Sequence, residues 1–197
     1  IGFLTRGCIR SCPWCVVPRK EGYIRPAAAW EQIKRPDSRE IVFLDNNVLA
    51  SGFGLEQIDR MGGQKVWVDF NQGLDARLIT PETAKLLARL RWIRFVRMSC
   101  DTGAMLPVVE QAAAYLREAG VAKSRLWAYV LVQDVEDAHS RVVALRSMGI
   151  TPFAQPYRDF DGGEPPDEQK KFARWVNNRA VFNTCTWENY CDNRRMT

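Results

Sequence analysis

Three cysteines, Cys8, Cys12 and Cys15, stand in a C-x3-C-x2-C run inside GCIRSCPWCVVPRKEG, Gly7 to Gly22. Thiolates so close together on one loop can close over a soft metal. Iron–sulfur clusters are held by Cys thiolates, and a cubane normally takes four. Three would leave one iron without a protein ligand, and an open position is how a metal site admits a substrate. A structural zinc site usually pairs C-x2-C with a second such pair, and none follows here. Zinc, or thiols that bind nothing, remain the alternatives at this point.

The rest of the composition narrows the chemistry. Six cysteines without a signal-like leader argue against a disulfide scaffold and for metal binding or reactivity in a reducing cytoplasm. The single histidine, His139, excludes a Cys2His2 finger or a two-His iron site built by this chain alone. A Ser-His-Asp triad would need His139, and no Gly-x-Ser-x-Gly turn supports one; it reads as a surface helix residue. No apolar run approaches the roughly 18 residues that span a membrane. The net charge of +5 permits an anionic partner, and Arg6, Arg10, Arg19, Lys20 and Arg25 gather around the Cys loop, as a solvated rim or as a nucleotide or nucleic-acid contact.

Polar residues also crowd other strand-like ends. Asp45-Asn46-Asn47 offers a carboxylate and amide oxygens able to accept from an ammonium, or forms a turn with a helix cap. Asp69 to Arg77 (DFNQGLDAR) is too polar for a core strand, and Arg77 suits a bidentate carboxylate pair or an internal ion pair with Asp75 or Asp69. Arg97, Ser99 and Asp101 alternate onto one face, which turns Cys100 the other way as a buried small residue. Tyr157 and Arg158 follow the last strand and are substrate-side candidates.

The elements that position these residues follow from periodicity. Strands are predicted at Ile1–Thr5, Glu40–Leu44, Lys65–Phe70, Ile93–Met98, Leu126–Leu131 and Pro152–Gln155. Helices are predicted at Ala27–Ile33, Leu55–Met61, Pro81–Leu90, Met105–Ala119, Val135–Met148 and Asp167–Asn178. Thr80-Pro81 reads as a cap followed by a first-turn proline, and Gly120 and Gly149 as helix stops. The alternation implies a parallel α/β sheet covered by helices, either doubly wound or a partial (β/α)6 TIM-like barrel. Both put the chemistry at the C-terminal ends of the strands, where the Cys loop lies. The reading is one domain over residues 1–197, with about 160–197 a helical extension; the start at Ile1 leaves room for a preceding domain. The Trp residues in regular elements read as packing residues.

Cys8-x3-Cys12-x2-Cys15, with Trp14 before the third Cys and the loop after the first strand, resembles the radical S-adenosylmethionine (radical SAM) superfamily. The stretch RGCIRSCPWCVVPRKEG is similar to the cluster loop of its methylthiotransferase and cobalamin-linked branches. The resemblance implies a partial (β/α)6 barrel in which Cys8, Cys12 and Cys15 hold a [4Fe–4S] cluster and S-adenosylmethionine (SAM) binds the open iron. It implies reductive cleavage of SAM to a 5′-deoxyadenosyl radical that takes hydrogen from a substrate, in an oxygen-sensitive enzyme served by a flavodoxin- or ferredoxin-type reductant. Trp14 would pack near the adenine, and Asp45, Asn46 and Asn47 would take the place of the superfamily's Gly-Gly-Glu-like grip on the SAM amine. Asn71, Gln72, Asp75, Arg77, Arg97 and Ser99 would complete the cofactor pocket, and Asp101, Tyr157 and Arg158 the substrate side. Near Gln133-Asp134 the usual Gly-rich turn is missing. Cys100, Cys185 and Cys191 could hold a second cluster, though free thiols fit their loose spacing better. The substrate is open, RNA or peptide, with transferase-type modification favoured. The alternative is a non-catalytic Fe–S or zinc module that binds nucleic acid.

Overall fold

The strands that carry the site are built on strict alternation. In the computed structural model, which describes residues 1–192, Leu126, Ala128, Val130 and Val132 are fully buried while Trp127, Tyr129 and Leu131 between them are half-buried. One face of the strand therefore packs under helices and the other looks into a concave space. The same split puts Val96 and Met98 in the core and leaves Arg97 and Ser99 on the concave side. Full burial of each such aliphatic side chain contributes about 1.5–3 kcal/mol.

In chain order the elements are β1 (Thr5–Arg6), α1 (Val17–Lys20), β2 (Arg25–Pro26), α2 (Trp30–Ile33), β3 (Glu40–Phe43), α3 (Gly52–Met61), β4 (Trp67–Phe70), α4 (Pro81–Ala88), β5 (Arg91–Trp92), β6 (Val96–Ser99), α5 (Leu106–Glu118), β7 (Leu126–Val132), α6 (Val135–Ser147), β8 (Thr151–Pro156), α7 (Asp167–Asn177), α8 (Arg179–Thr184) and α9 (Trp187–Asp192). The fold is mixed α/β. Strands β3, β4 and β5 form one parallel sheet and β6, β7 and β8 another. A parallel bridge between Leu74 and Met98 links the two, with Leu74 N donating to Arg97 O at 2.8 Å. A second bridge, Gly2 to Phe43, sets the N-terminal segment beside β3. The parallel strands thus follow one another in chain order from the Gly2 segment through β3 to β8, while β2 pairs only with β1.

The helices start and stop where the sequence punctuates them. Ser51, Thr80 and Asp134 accept from backbone N–H groups at the starts of α3, α4 and α6. Gly120 and Gly149 follow α5 and α6.

Several expectations change. The strand expected at Ile1–Thr5 is parallel only around Gly2; by Thr5 it has turned into an antiparallel pair with Arg25 and Pro26, closing the base of the Cys loop. The helix expected at Ala27–Ile33 begins only at Trp30, because Ala29 is still extended. The strand expected at Ile93–Met98 is interrupted between β5 and β6. In the C-terminal extension Phe172, Trp175, Phe182, Trp187 and Tyr190 pack as an aromatic layer, and residues 193–197 lie outside the described residues. His139 belongs to that layer, 5.7 Å from the Trp175 ring, rather than to the open surface. Asn177 pairs its amide with both N–H and C=O of Ala154 at 2.9 Å, covering the free edge of β8. Among the described residues no helix is long and apolar enough to cross a membrane.

Candidate functional site

The Cys loop is pinned at its base. Gly7 has φ +81°, and a Cβ there would meet Tyr23 O at 2.4 Å, so glycine is what lets the two ends of the loop touch. Cys8 N donates to Gly22 O at 3.1 Å. Glu21 accepts from Gly7 N at 3.0 Å, from Arg6 at 2.9 and 2.7 Å, and from Asn46 Nδ2 at 2.8 Å. Burial would raise its carboxyl, but Arg6 and the Gly7 N–H outweigh this and hold it below the usual range. Within the loop, Cys15 N donates to Cys12 O at 3.0 Å, a tight turn that keeps those two residues together.

All three half-buried thiols face one cleft of about 690 Å³ at the C-terminal ends of the strands. Cys8 Sγ accepts from Arg10 N at 3.3 Å and from Asn47 Nδ2 at 3.4 Å. The Cys15 thiol is pushed up by burial, opposed by the Val17 N–H, and raised further by Cys12, Cys8 and Asp101 nearby.

Most of the expected residues meet in this cleft. Trp14 lines it from the loop, Asn46 and Asn47 from the end of β3, and Asn71, Gln72, Asp75 and Arg77 from the end of β4. Ser99 and Asp101 enter from β6. Gly73, with φ +88°, makes the turn that brings the β4 end inward. The Asp101 carboxyl is raised by burial, against the pull of the Leu131 N–H, Arg141, Arg77 and the Trp14 indole. Below it the fully buried Arg141 donates to Cys100 O at 2.7 Å and Leu131 O at 2.8 Å, tying the ends of β6 and β7 together.

Four expected residues do not line the cleft. Asp45 is 2% exposed and spends its carboxylate on Leu4 N (3.1 Å), Thr5 N (2.5 Å) and Thr5 Oγ1 (2.7 Å). It anchors the strand that leads into the Cys loop. Arg97 forms an ion pair with Asp69 deeper on the concave face. Tyr157 continues the β8 pairing through Val132 O, and Arg158 is exposed, 3.4 Å from Glu164. The cleft is lined instead by Gln155, together with Arg10, Thr102, Met105, Tyr129 and Leu131. Alternation along β7 and β8 puts Tyr129, Leu131 and Gln155 on the same face as Trp127 and Phe153, a signal present in the sequence. Nothing in the sequence separates Arg10 from the other basic residues around the loop.

The polar atoms in the cleft are unevenly spent. The Nδ2 donors of Asn46 and Asn47 are taken by Glu21, Cys8 and Asp75. Asn47 Oδ1, in a residue 3% exposed, is buried without a partner. A buried acceptor left unpaired costs about 1–3 kcal/mol. The other cysteines stand apart: Cys100 is fully buried, its thiol pushed up to about 12 by burial, and Cys185 and Cys191 belong to the C-terminal helical layer. Among the described residues no three His, Cys, Asp or Glu side chains stand as a ready-made metal site. The donor set itself, three soft sulfurs opening on one cleft, suits an iron–sulfur cluster with one open iron.

No protein-family model matches the chain, and no curated protein matches it in sequence.

Proposed function

We propose that the chain is a radical SAM enzyme in which Cys8, Cys12 and Cys15 hold a [4Fe–4S] cluster. The observation that carries the reading is the meeting of three thiols with the polar side chains Asn46, Asn71, Gln72 and Arg77 in one cleft at the C-terminal ends of parallel strands. Strands that follow one another in space as they do in sequence fit a partial (β/α)6 barrel better than a doubly wound sheet, whose order reverses at a switch point.

Cys8, Cys12 and Cys15 would hold the cluster, which when bound and reduced would supply the single electron for reductive cleavage of SAM and so the hydrogen-abstracting chemistry of the site. The chain's own residues bind and orient. Asn46 and Asn47 offer acceptor oxygens to the SAM ammonium, and Arg77 offers a guanidinium to its carboxylate. Asn71, Gln72 and Ser99 present hydrogen-bonding groups for the ribose, and Trp14 a flat face for the adenine. Asp101, held by Trp14 and the Leu131 N–H, borders the space left for substrate. A flavodoxin- or ferredoxin-type reductant in a reducing cytoplasm completes the reading. The substrate and the final reaction stay open, with RNA or peptide and transferase-type modification the candidates that the basic residues around the loop suit.

Anaerobic reconstitution with iron and sulfide tests this. The reading expects a brown protein absorbing near ~400 nm whose cluster is reducible, and loss of the colour in Cys8→Ala, Cys12→Ala or Cys15→Ala but not in Cys185→Ala. A colourless protein that takes up zinc alone would overturn it in favour of a structural metal module.

A further inference from the structure

One carboxylate reaches two of the three cysteine sulfurs at one remove. Asp75, its side chain 7% exposed, follows β4. It accepts from Arg10 Nε at 3.1 Å, Arg77 Nε at 2.6 Å, Arg77 Nη2 at 3.1 Å, Asn47 Nδ2 at 3.3 Å and its near neighbour Arg77 N at 3.2 Å. A carboxylate has about four lone-pair sites. Asp75 is therefore saturated and has no acceptor left for a direct cofactor contact, the place the sequence suggested for it.

Each of its three partners also touches or borders the cysteine loop. Arg10 belongs to the loop and places its backbone N–H on Cys8 Sγ. Asn47 Nδ2 is shared between Asp75 and Cys8 Sγ. Arg77 stands near Cys12, whose proximity favours the charged guanidinium. Two guanidiniums meet one carboxylate here, with the Asp101 carboxyl also close to Arg77 and Cys15.

We infer that Asp75 is a positioning residue: through Arg10, Arg77 and Asn47 it fixes where the Cys8 and Cys12 sulfurs stand and how much positive charge faces them. Its effect on redox chemistry rests on the radical SAM reading; its effect on the loop does not. Groups one step beyond the ligands orient them and tune the metal, and their loss typically costs about 10–100-fold in affinity or activity.

The test replaces Asp75 with Asn, which keeps the shape and removes the charge, and with Glu, which keeps the charge. In the metal-free protein, hydrogen exchange of the amides between Cys8 and Lys20 should quicken about tenfold in Asp75→Asn, while the strands β6–β8 keep wild-type protection. Unchanged exchange across the loop overturns the inference. In the reconstituted protein, Asp75→Asn should hold wild-type iron but cleave SAM about 10–100-fold more slowly. Its cluster potential should move positive, because removing a negative charge favours the reduced state, and Asp75→Glu should return the potential toward wild type. A loss of rate with an unmoved potential would make Asp75 merely structural and refute the role. Should Asp75→Asn fail to fold, Arg10→Gln removes one arm of the network and carries the same two measurements. If the wild-type chain takes up no cluster, the radical SAM reading falls, and loop exchange still decides the role of Asp75.

Discussion

Replacing Asp45 with Ala should destabilise the fold strongly. Its carboxylate accepts three hydrogen bonds, two from the backbone N–H groups of Leu4 and Thr5 and one from the Thr5 hydroxyl, where both donors' residues are 0% exposed. Each buried group left unpaired costs about 1–3 kcal/mol. Three such groups would cost about 3–9 kcal/mol, from which the relief of no longer burying a carboxylate, several kcal/mol, is subtracted. A net loss of about 2–4 kcal/mol remains, a large share of an ordinary domain's stability. Asp45→Asn keeps one acceptor oxygen and should fall between the wild type and Ala. Urea unfolding of the metal-free protein at neutral pH, followed by tryptophan fluorescence, reads the difference as a shift of midpoint at constant slope. An Asp45→Ala protein within about 0.5 kcal/mol of wild type, the range of inert surface changes, would refute the assignment of Asp45 as the anchor of the loop's leading strand.

Other outcomes follow from the same geometry. Glu21 is held below its unfolded pKa, so it contributes stability that is present above the unfolded value and lost as pH falls through the folded one; acid unfolding should therefore show the wild type's advantage over Glu21→Gln shrinking as pH drops below about 4, and an advantage that persists at pH 2 would contradict it. Cys100, with its thiol pushed up to about 12 and its side chain fully buried, should resist iodoacetamide at pH 8 until denaturant is added, while Cys8, Cys12 and Cys15 label in the native metal-free protein; equal labelling rates in peptide mass mapping would count against the burial. Asn177→Ala removes both amide bonds to Ala154 and should cost about 1–3 kcal/mol in urea unfolding, with faster exchange at the β8 edge; no change in either would show that the edge is held by α7 packing alone.

The parts of the fold that were legible in the sequence are those that repeat a period over a whole element. β7 alternates buried and half-buried residues without a break, and α5 and α6 run thirteen residues each between a proline or an aspartate at the start and a glycine at the end. β1, α1 and α2 escaped detection, or lost their predicted bounds, because elements of two to four residues carry no period. Their shape comes from tertiary contacts, such as Leu4 O accepting from Ala27 N. The site divides in the same way. Polar residues bunched at strand ends marked the cleft, since such groups have no place in a core. What the sequence does not disclose is where a carboxylate spends its lone pairs. Asp45 and Asp75 look like ligand groups in one dimension, yet Asp45 turns to backbone donors some forty positions away and Asp75 to two arginines and an amide. Tyr129 and Gln155 were within reach of the alternation argument, and Arg10 was not.

The central claim, that this cleft reductively cleaves SAM, is tested most directly by quantifying 5′-deoxyadenosine after anaerobic incubation of the reconstituted protein with SAM and dithionite. The account expects 5′-deoxyadenosine and methionine in equal amounts from the wild type, and none above background from Cys12→Ala. A wild-type protein with a full, reducible cluster that leaves SAM intact, or a Cys12→Ala protein that cleaves it as fast, would contradict the claim.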